Sequence, residues 1–131
     1  MNDVLCLATG DTYDLVLKTK ITAHPTTRAY PVADTLYLVP IRKGGVMEYL
    51  FFISDTLICE PDNIYSYANV LDETKYKRLV AYHEERRATF GYGKSAPYKF
   101  YFLELKAVIP QPCIKKYVRV SAKINLDALN L

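Results

Sequence analysis

The sequence predicts an α+β domain, a small mixed or antiparallel β-barrel of about six strands with one main helix between strands four and five. Two observations support this prediction. Apolar residues fall into several short runs that Gly, Pro and acidic residues separate, which is typical of strands and turns. Only one segment, before the fifth run, shows clear helical spacing. The chain has 131 residues and no linker or repeat, so we expect residues 1–131 to form a single domain.

The first two apolar segments are expected to be strands. Residues 4–9 are apolar and stop at Gly10 and Asp11, a pair that indicates a turn. Residues 13–22 alternate imperfectly between apolar and polar side chains, which favours a second strand, with one helical turn as the alternative.

A loop is expected next, over residues 21–34. Pro25 and Pro31 exclude a regular helix there and push the preceding residues into extended conformations. This loop would carry His24 and Arg28 at the surface.

The third and fourth strands are expected to form a hairpin. Residues 35–40 and 46–59 are both apolar, with β-branched and aromatic side chains. Gly44 and Gly45 lie between them, and such a pair indicates a tight turn.

The helix is expected after a loop at residues 60–73 and should end near Ala88. Asp72 is a suitable N-cap, because its carboxylate can accept hydrogen bonds from the first turn. The apolar positions that recur at helical spacing are Tyr76, Leu79, Val80 and His83.

The last two strands are expected at residues 98–109 and 114–124. The first is strongly apolar, and Pro110 and Pro112 should terminate it. The second alternates like a half-solvated strand.

Composition limits the classes of function. Half of the residues are hydrophobic and 24% are charged, which excludes a disordered chain. The net charge of +3 is too small for polyanion binding through bulk charge, so only clustered cations would be informative. Cys6, Cys59 and Cys113 are too few and too far apart for a disulfide framework. With no apolar run of signal-peptide or transmembrane length, we expect a cytoplasmic protein that does not bind a membrane.

No metal or cofactor site is expected. The chain has no cofactor fingerprint, and His24 and His83 are its only histidines. The phrase HEERR begins at His83, but Arg87 stands where a zinc-binding HExxH helix needs its second histidine.

Two phrases resemble the PUA-like superfamily, especially its ASCH and EVE domains. Residues 18–22 (KTKIT) and 33–38 (ADTLYL) are similar in order and character to the ASCH phrase GRKTxTxR…GDxLxL, and the resemblance extends over residues 18–110. Ala33 stands in place of the glycine, and the arginine that closes the first phrase is missing. The resemblance implies a PUA-like fold that binds RNA or modified bases in DNA between the barrel and the helix.

Clustered cations and tyrosines favour the same function. Cations bind phosphates without reading sequence, and tyrosine rings stack on exposed or flipped bases. The candidate nucleic-acid-binding residues are Lys18, Lys20, His24, Arg28, Arg42, Lys43, Arg86, Arg87, Tyr92, Lys94 and Tyr98.

Two other functions stay open. Some ASCH proteins are amidohydrolases, and by motif position the resemblance implies Lys18 or Lys20 as the activating base, Thr22 as the nucleophile and Glu84 as the acid. The alternative is a protein-interaction adaptor of phage or mobile-element origin, because Tyr and Arg are also enriched at protein interfaces.

Overall fold

A computed structural model describes residues 3–27, 30, 34–93, 96–114, 121–129 and 131, with the backbone alone for 111–114. The strands are β1 (Asp3–Ala8), β2 (Ile21–Pro25), β3 (Tyr37–Arg42), β4 (Val46–Cys59), β5 (Tyr98–Ile114) and β6 (Ser121–Asn125). The helices are α1 (Tyr13–Thr19) and α2 (Glu73–Thr89), and three short 3-10 segments cover Gly10–Thr12, Pro61–Tyr67 and Leu126–Leu129. None of the described helices is both long and apolar enough to cross a membrane.

The six strands form one mixed sheet in the order β2-β5-β4-β3-β1-β6. β1 and β3 are parallel, and every other neighbouring pair is antiparallel. The edge strands β2 and β6 do not pair with each other in the described part of the chain, so the sheet is not closed into a barrel. The predicted α+β class, the six strands and the main helix between β4 and β5 are confirmed.

Helix α1 replaces the strand that we expected at residues 13–22. Tyr13, Leu15, Val16 and Thr19 are buried, which is the spacing of one helical face rather than of a strand. The helix ends at Lys20, whose backbone is left-handed (φ 56°, ψ 36°) and whose N–H bonds to the Val16 carbonyl. The prediction of a strand was wrong because a helix of two turns is too short for its spacing to be distinguished from imperfect alternation.

The loop expected at residues 21–34 was also wrong at its start, because β2 occupies Ile21–Pro25. This strand pairs with β5 through the register Ile21 to Phe102. As an edge strand it tolerates a proline at its end, where no ladder donor is needed.

The prolines do not terminate β5, contrary to the prediction, since the strand continues to Ile114. Met47 pairs with Cys113 and Tyr49 pairs with Val108, so residues 109–112 stand opposite a single residue of β4. The missing N–H groups of the two prolines therefore fall in a bulge. Of the last predicted strand, only Ser121–Asn125 is described, because residues 115–120 lie outside the described part.

Helix α2 begins and ends close to the predicted residues. The Asp72 carboxylate accepts a hydrogen bond from the Lys75 N–H at 2.8 Å, which confirms the N-cap. Leu79, Tyr82 and His83 are its buried residues. Tyr82 meets Phe100 of β5 edge to face, and His83 packs against the rings of Tyr65 and Tyr92.

Arg78 joins α2 to the end of α1 and to β5. Its Nε donates to the Thr19 carbonyl at 2.9 Å, and its Nη2 donates to the carbonyls of Lys20 and Leu103 at 2.6 and 2.8 Å. The Leu103 N–H also bonds to the Lys20 carbonyl at 2.9 Å. A single guanidinium thus satisfies carbonyls at a helix C-terminus, where a cation is favourable.

We expect Arg78→Met to lower the free energy of unfolding by about 2–4 kcal/mol, because three carbonyls lose a charged donor while the apolar stem is retained. Denaturant unfolding measures this change. Arg87→Met is the control: its exposed ion pair with Asp62 should contribute less than about 1 kcal/mol. Equal effects of the two substitutions would contradict the joining role.

Candidate functional site

Arg86 lies among three tyrosine rings at the C-terminal end of α2. Its Cζ atom is 4.6 Å from the ring centroid of Tyr92, 5.3 Å from that of Tyr98 and 5.9 Å from that of Tyr82. Tyr82 and Tyr98 are buried, and Tyr92 is half-buried. These four side chains are called the Arg86 pocket below.

The guanidinium of Arg86 is fixed by hydrogen bonds rather than by a carboxylate. Nε donates to the Gly91 carbonyl at 3.2 Å, and Nη1 donates to the Ala23 carbonyl at 3.2 Å and to the Tyr82 hydroxyl at 2.8 Å. Within the described residues Arg86 forms no ion pair, and its Nη2 has no hydrogen-bond partner. No buried side-chain nitrogen or oxygen there lacks a partner, so Nη2 reaches solvent.

The end of α2 directs Tyr92 into this pocket. Gly91 has φ +76°, a conformation that favours glycine, and its N–H bonds to the Arg86 carbonyl at 2.6 Å. The chain therefore turns at Gly91, directly after α2. Tyr92 lies edge to face with Tyr98, with 4.9 Å between the ring centroids. Its hydroxyl is 2.8 Å from Nδ1 of His83, and burial raises the pKa of Tyr92.

Tyr82 forms the floor of the pocket. It is fully buried, and its hydroxyl interacts with the Thr22 side chain and the Ala23 backbone as well as with Arg86. Burial raises the pKa of Tyr82, with the hydrogen bond from Arg86 acting in the opposite direction. The phenol of Tyr82 therefore stays protonated at neutral pH.

His24 lies beside this pocket, buried in β2 and not on a loop surface as expected. Its Nδ1 donates to the Pro25 carbonyl at 2.8 Å, so in the neutral ring Nε2 accepts from the Tyr101 hydroxyl at 2.8 Å. The ring also stacks on Tyr30 at 4.1 Å between centroids. Burial lowers the pKa of His24, and the nearby Lys99 lowers it further.

Four of the predicted cations are instead held in exposed ion pairs. Lys18 binds Glu85 at 2.9 Å, and Arg87 binds Asp62. At the hairpin tip, Arg42 binds Glu48 at 3.4 Å and Lys43 binds Asp11 at 2.7 Å. Exposed pairs of this kind open easily, so these cations remain able to exchange a carboxylate for a phosphate.

The remaining predicted site residues divide into two groups. The structure brings together Arg86, Tyr92 and Tyr98 between α2 and β5, whereas the His24 ring contacts Tyr30 and Tyr101. Lys20 is exposed at the end of α1, and Arg28 and Lys94 lie outside the described residues.

The amidohydrolase residues are not assembled into one site. Thr22 is buried beneath Tyr82, whereas Glu84 is exposed and accepts a hydrogen bond from Tyr65 at 3.1 Å. Tyr82 and Glu84 are two residues apart on α2, which corresponds to a rotation of about 200° about the helix axis. Glu84 therefore points away from the helix face that Tyr82 presents to Thr22. Lys20 is exposed at the left-handed end of α1. Within the described residues, no group of three His, Cys, Asp or Glu could hold a metal ion.

Three contributors to this region were missed by sequence reasoning. Tyr82 stands four residues before Arg86, a helical spacing that could have indicated their contact. Tyr30 and Tyr101 had no such signal, because only the fold brings them to His24.

The α+β fold of this chain matches that of an ASCH domain. The crystal structure of ASCH from Zymomonas mobilis matches 97% of this chain and 91% of that chain, with a TM-score of 0.57 at 8% identity. A mutant of the same protein matches 95% and 75% of the two chains with a TM-score of 0.48 at 11% identity. The resemblance in sequence is therefore confirmed at the level of fold. No protein-family model and no curated protein sequence matches.

We expect folding stability to fall as the pH drops below about 6.5, since burial lowers the pKa of His24 from that value. Below that pH, His24 binds a proton in the unfolded chain but stays neutral in the folded chain. Its contribution to folding stability is therefore lost as the pH falls through the folded pKa. Thermal unfolding between about pH 5 and pH 7.5 measures the slope, and His24→Gln should reduce it.

A ring-proton NMR titration separates the two histidines, because His83→Gln leaves only His24 to titrate. A midpoint for His24 at or above 6.5 would contradict its burial as a neutral ring.

Proposed function

We propose that this chain is a non-catalytic nucleic-acid-binding module that recognises exposed or modified bases of RNA or DNA at the Arg86 pocket. The observation that carries the proposal is a half-buried arginine held among three tyrosine rings, with no ion pair to a described residue and with Nη2 open to solvent. A cation that serves only the fold would more commonly be paired with a carboxylate.

The chemistry of the pocket suits a base. Nη2 of Arg86 can donate to a ring nitrogen or a carbonyl of a base, and the guanidinium plane and the Tyr92 ring offer flat apolar faces for stacking. Tyr98 is buried, so its part is to support Tyr92 and Arg86 rather than to stack on the ligand.

The cations outside the pocket would contact phosphates. Lys18, Lys20, Arg42, Lys43 and Arg87 are exposed, and Arg28 and Lys94 complete the predicted set. Contacts of this kind position the chain on the backbone without reading sequence. With a net charge of only +3, we expect modest affinity that depends on the pocket.

The cellular setting belongs to the same proposal. Cys6 and Cys59 are buried thiols, which suits the reducing cytoplasm where RNA and DNA are available. A protein partner remains compatible with this function. The geometry does not support hydrolysis, because Glu84 points away from the face of α2 that lies against Thr22.

We expect Tyr92→Leu to weaken binding of a short single-stranded RNA or DNA by roughly fivefold to 150-fold, the loss of one base stacked on an aromatic ring. Fluorescence polarisation at low and physiological salt measures the affinity.

Two control variants make this test specific. Tyr92→Phe keeps the ring and should retain binding, although it loses the contact with His83. Tyr65→Leu removes another exposed tyrosine that contacts the same histidine, 5.7 Å between centroids, and should leave the affinity unchanged. Equal losses in the Tyr92 and Tyr65 variants, or no binding by the unmodified protein, would refute the proposal.

A further inference from the structure

A second candidate site is a cleft nearer the N-terminus of α2, where the helix meets the end of α1 and the middle of β5. Its volume is about 290 Å³, and the residues that matter for its chemistry are Lys20, Arg78 and Glu104. Leu103 and Leu105 supply an apolar wall.

Arg78 offers one free donor to this cleft. Its Nε and Nη2 are used by three backbone carbonyls. Its Nη1 has no hydrogen-bond partner within the described residues, and because no buried side-chain nitrogen there is unsatisfied, Nη1 reaches solvent. The three carbonyls hold the guanidinium in place, so this donor is fixed before any ligand arrives.

Lys20 is the second cation of the cleft. Among the described residues it is the only non-glycine residue with positive φ, and it forms no ion pair there. A left-handed lysine at a helix end carries a backbone cost that asparagine or glycine would reduce. The backbone conformation therefore does not select lysine at this position, and its charged side chain is available to a ligand.

The balance of charge in the cleft is positive. Lys20 and Arg78 outweigh Glu104, and the neighbouring Lys18 is already paired with Glu85. A larger cavity, of about 430 Å³ at the β3–β4 hairpin tip, is less favourable for an anion because both of its cations, Arg42 and Lys43, are paired with carboxylates.

The cleft and the Arg86 pocket lie on the same side of α2. Arg78 donates to the Lys20 carbonyl and Arg86 to the Ala23 carbonyl, so both arginines face the segment from Lys20 to Ala23. Eight residues separate them, which corresponds to about 12 Å along a helix. A short single strand with one base at Arg86 can therefore extend its backbone to Lys20.

We propose that this cleft binds a backbone phosphate of the same nucleic acid, with Lys20 and Nη1 of Arg78 as its donors. This inference rests on the proposed function, since it assigns a phosphate position to a strand whose base occupies the Arg86 pocket. Lys20 supplies charge, and Arg78 supplies a fixed hydrogen-bond donor.

The test is the salt dependence of binding to a short single-stranded oligonucleotide, measured by fluorescence polarisation with Lys20→Asn. This substitution removes the charge and suits the left-handed backbone, so the variant should fold at least as well as the unmodified protein. We expect weaker binding and a salt slope, log K against log salt, that is smaller by about 0.7, the value for one lost phosphate contact on a single strand.

Two further variants make the result specific. Lys77→Asn is the matched control, because Lys77 is exposed on α2 in an ion pair with Glu73 and does not line the cleft. It should leave the slope unchanged. Glu104→Gln should strengthen binding, because it removes the negative charge that opposes a phosphate.

The outcomes separate this inference from the proposed function. If Tyr92→Leu weakens binding but Lys20→Asn leaves the slope unchanged, the cleft is overturned and the base pocket stands. If Lys20→Asn reduces the slope but Tyr92→Leu has no effect, the phosphate site stands and base recognition at the Arg86 pocket fails. Equal slopes for the Lys20 and Lys77 variants overturn the cleft, and no binding by the unmodified protein overturns both.

Discussion

The attachment of α2 to the edge strand β2 is the constraint on which both candidate sites depend. β2 has five residues and one strand neighbour, so alternate backbone groups along it point away from the sheet. A side chain of α2 satisfies one of these groups, since Arg86 donates to the Ala23 carbonyl. The edge is thereby covered by a helix rather than left open to another strand. The Arg86 pocket is a consequence of that covering.

Burial then decides the protonation of the groups around the pocket. The pKa values of Tyr82 and Tyr92 are raised and those of His24 and His83 are lowered, in each case mainly through loss of solvent. All four rings are therefore neutral at pH 7. The tyrosine faces stabilise the Arg86 guanidinium. A positive group surrounded by neutral aromatic rings has the chemistry to bind a flat, electron-rich ligand.

The sequence predicted the long elements and missed those that only tertiary contacts define. Helix α2 was predictable because it has a capping residue, Asp72, and several turns of helical spacing. Helix α1 was not, because seven residues provide too few turns to separate its periodicity from that of a strand. β5 crosses its prolines because a bulge removes the need for their N–H groups, and a bulge depends on the partner strand. Arg86 and Tyr92 were proposed as site residues from charge and ring chemistry, whereas Arg78 was not, because its three carbonyl partners come from distant segments.

Arg78 and Arg86 of α2 each serve the fold and leave a donor for a ligand, and these two uses reinforce each other. Each guanidinium spends two of its nitrogens on backbone carbonyls or a hydroxyl, which fixes its plane, and leaves one nitrogen toward solvent. A long arginine side chain normally loses much conformational freedom when it binds an anion. Here most of that loss has already occurred on folding, so ligand contacts at Arg78 and Arg86 need less ordering than contacts to exposed lysines. In the function proposed for this mildly basic chain, affinity for nucleic acid would therefore depend more on preorganised donors than on total charge.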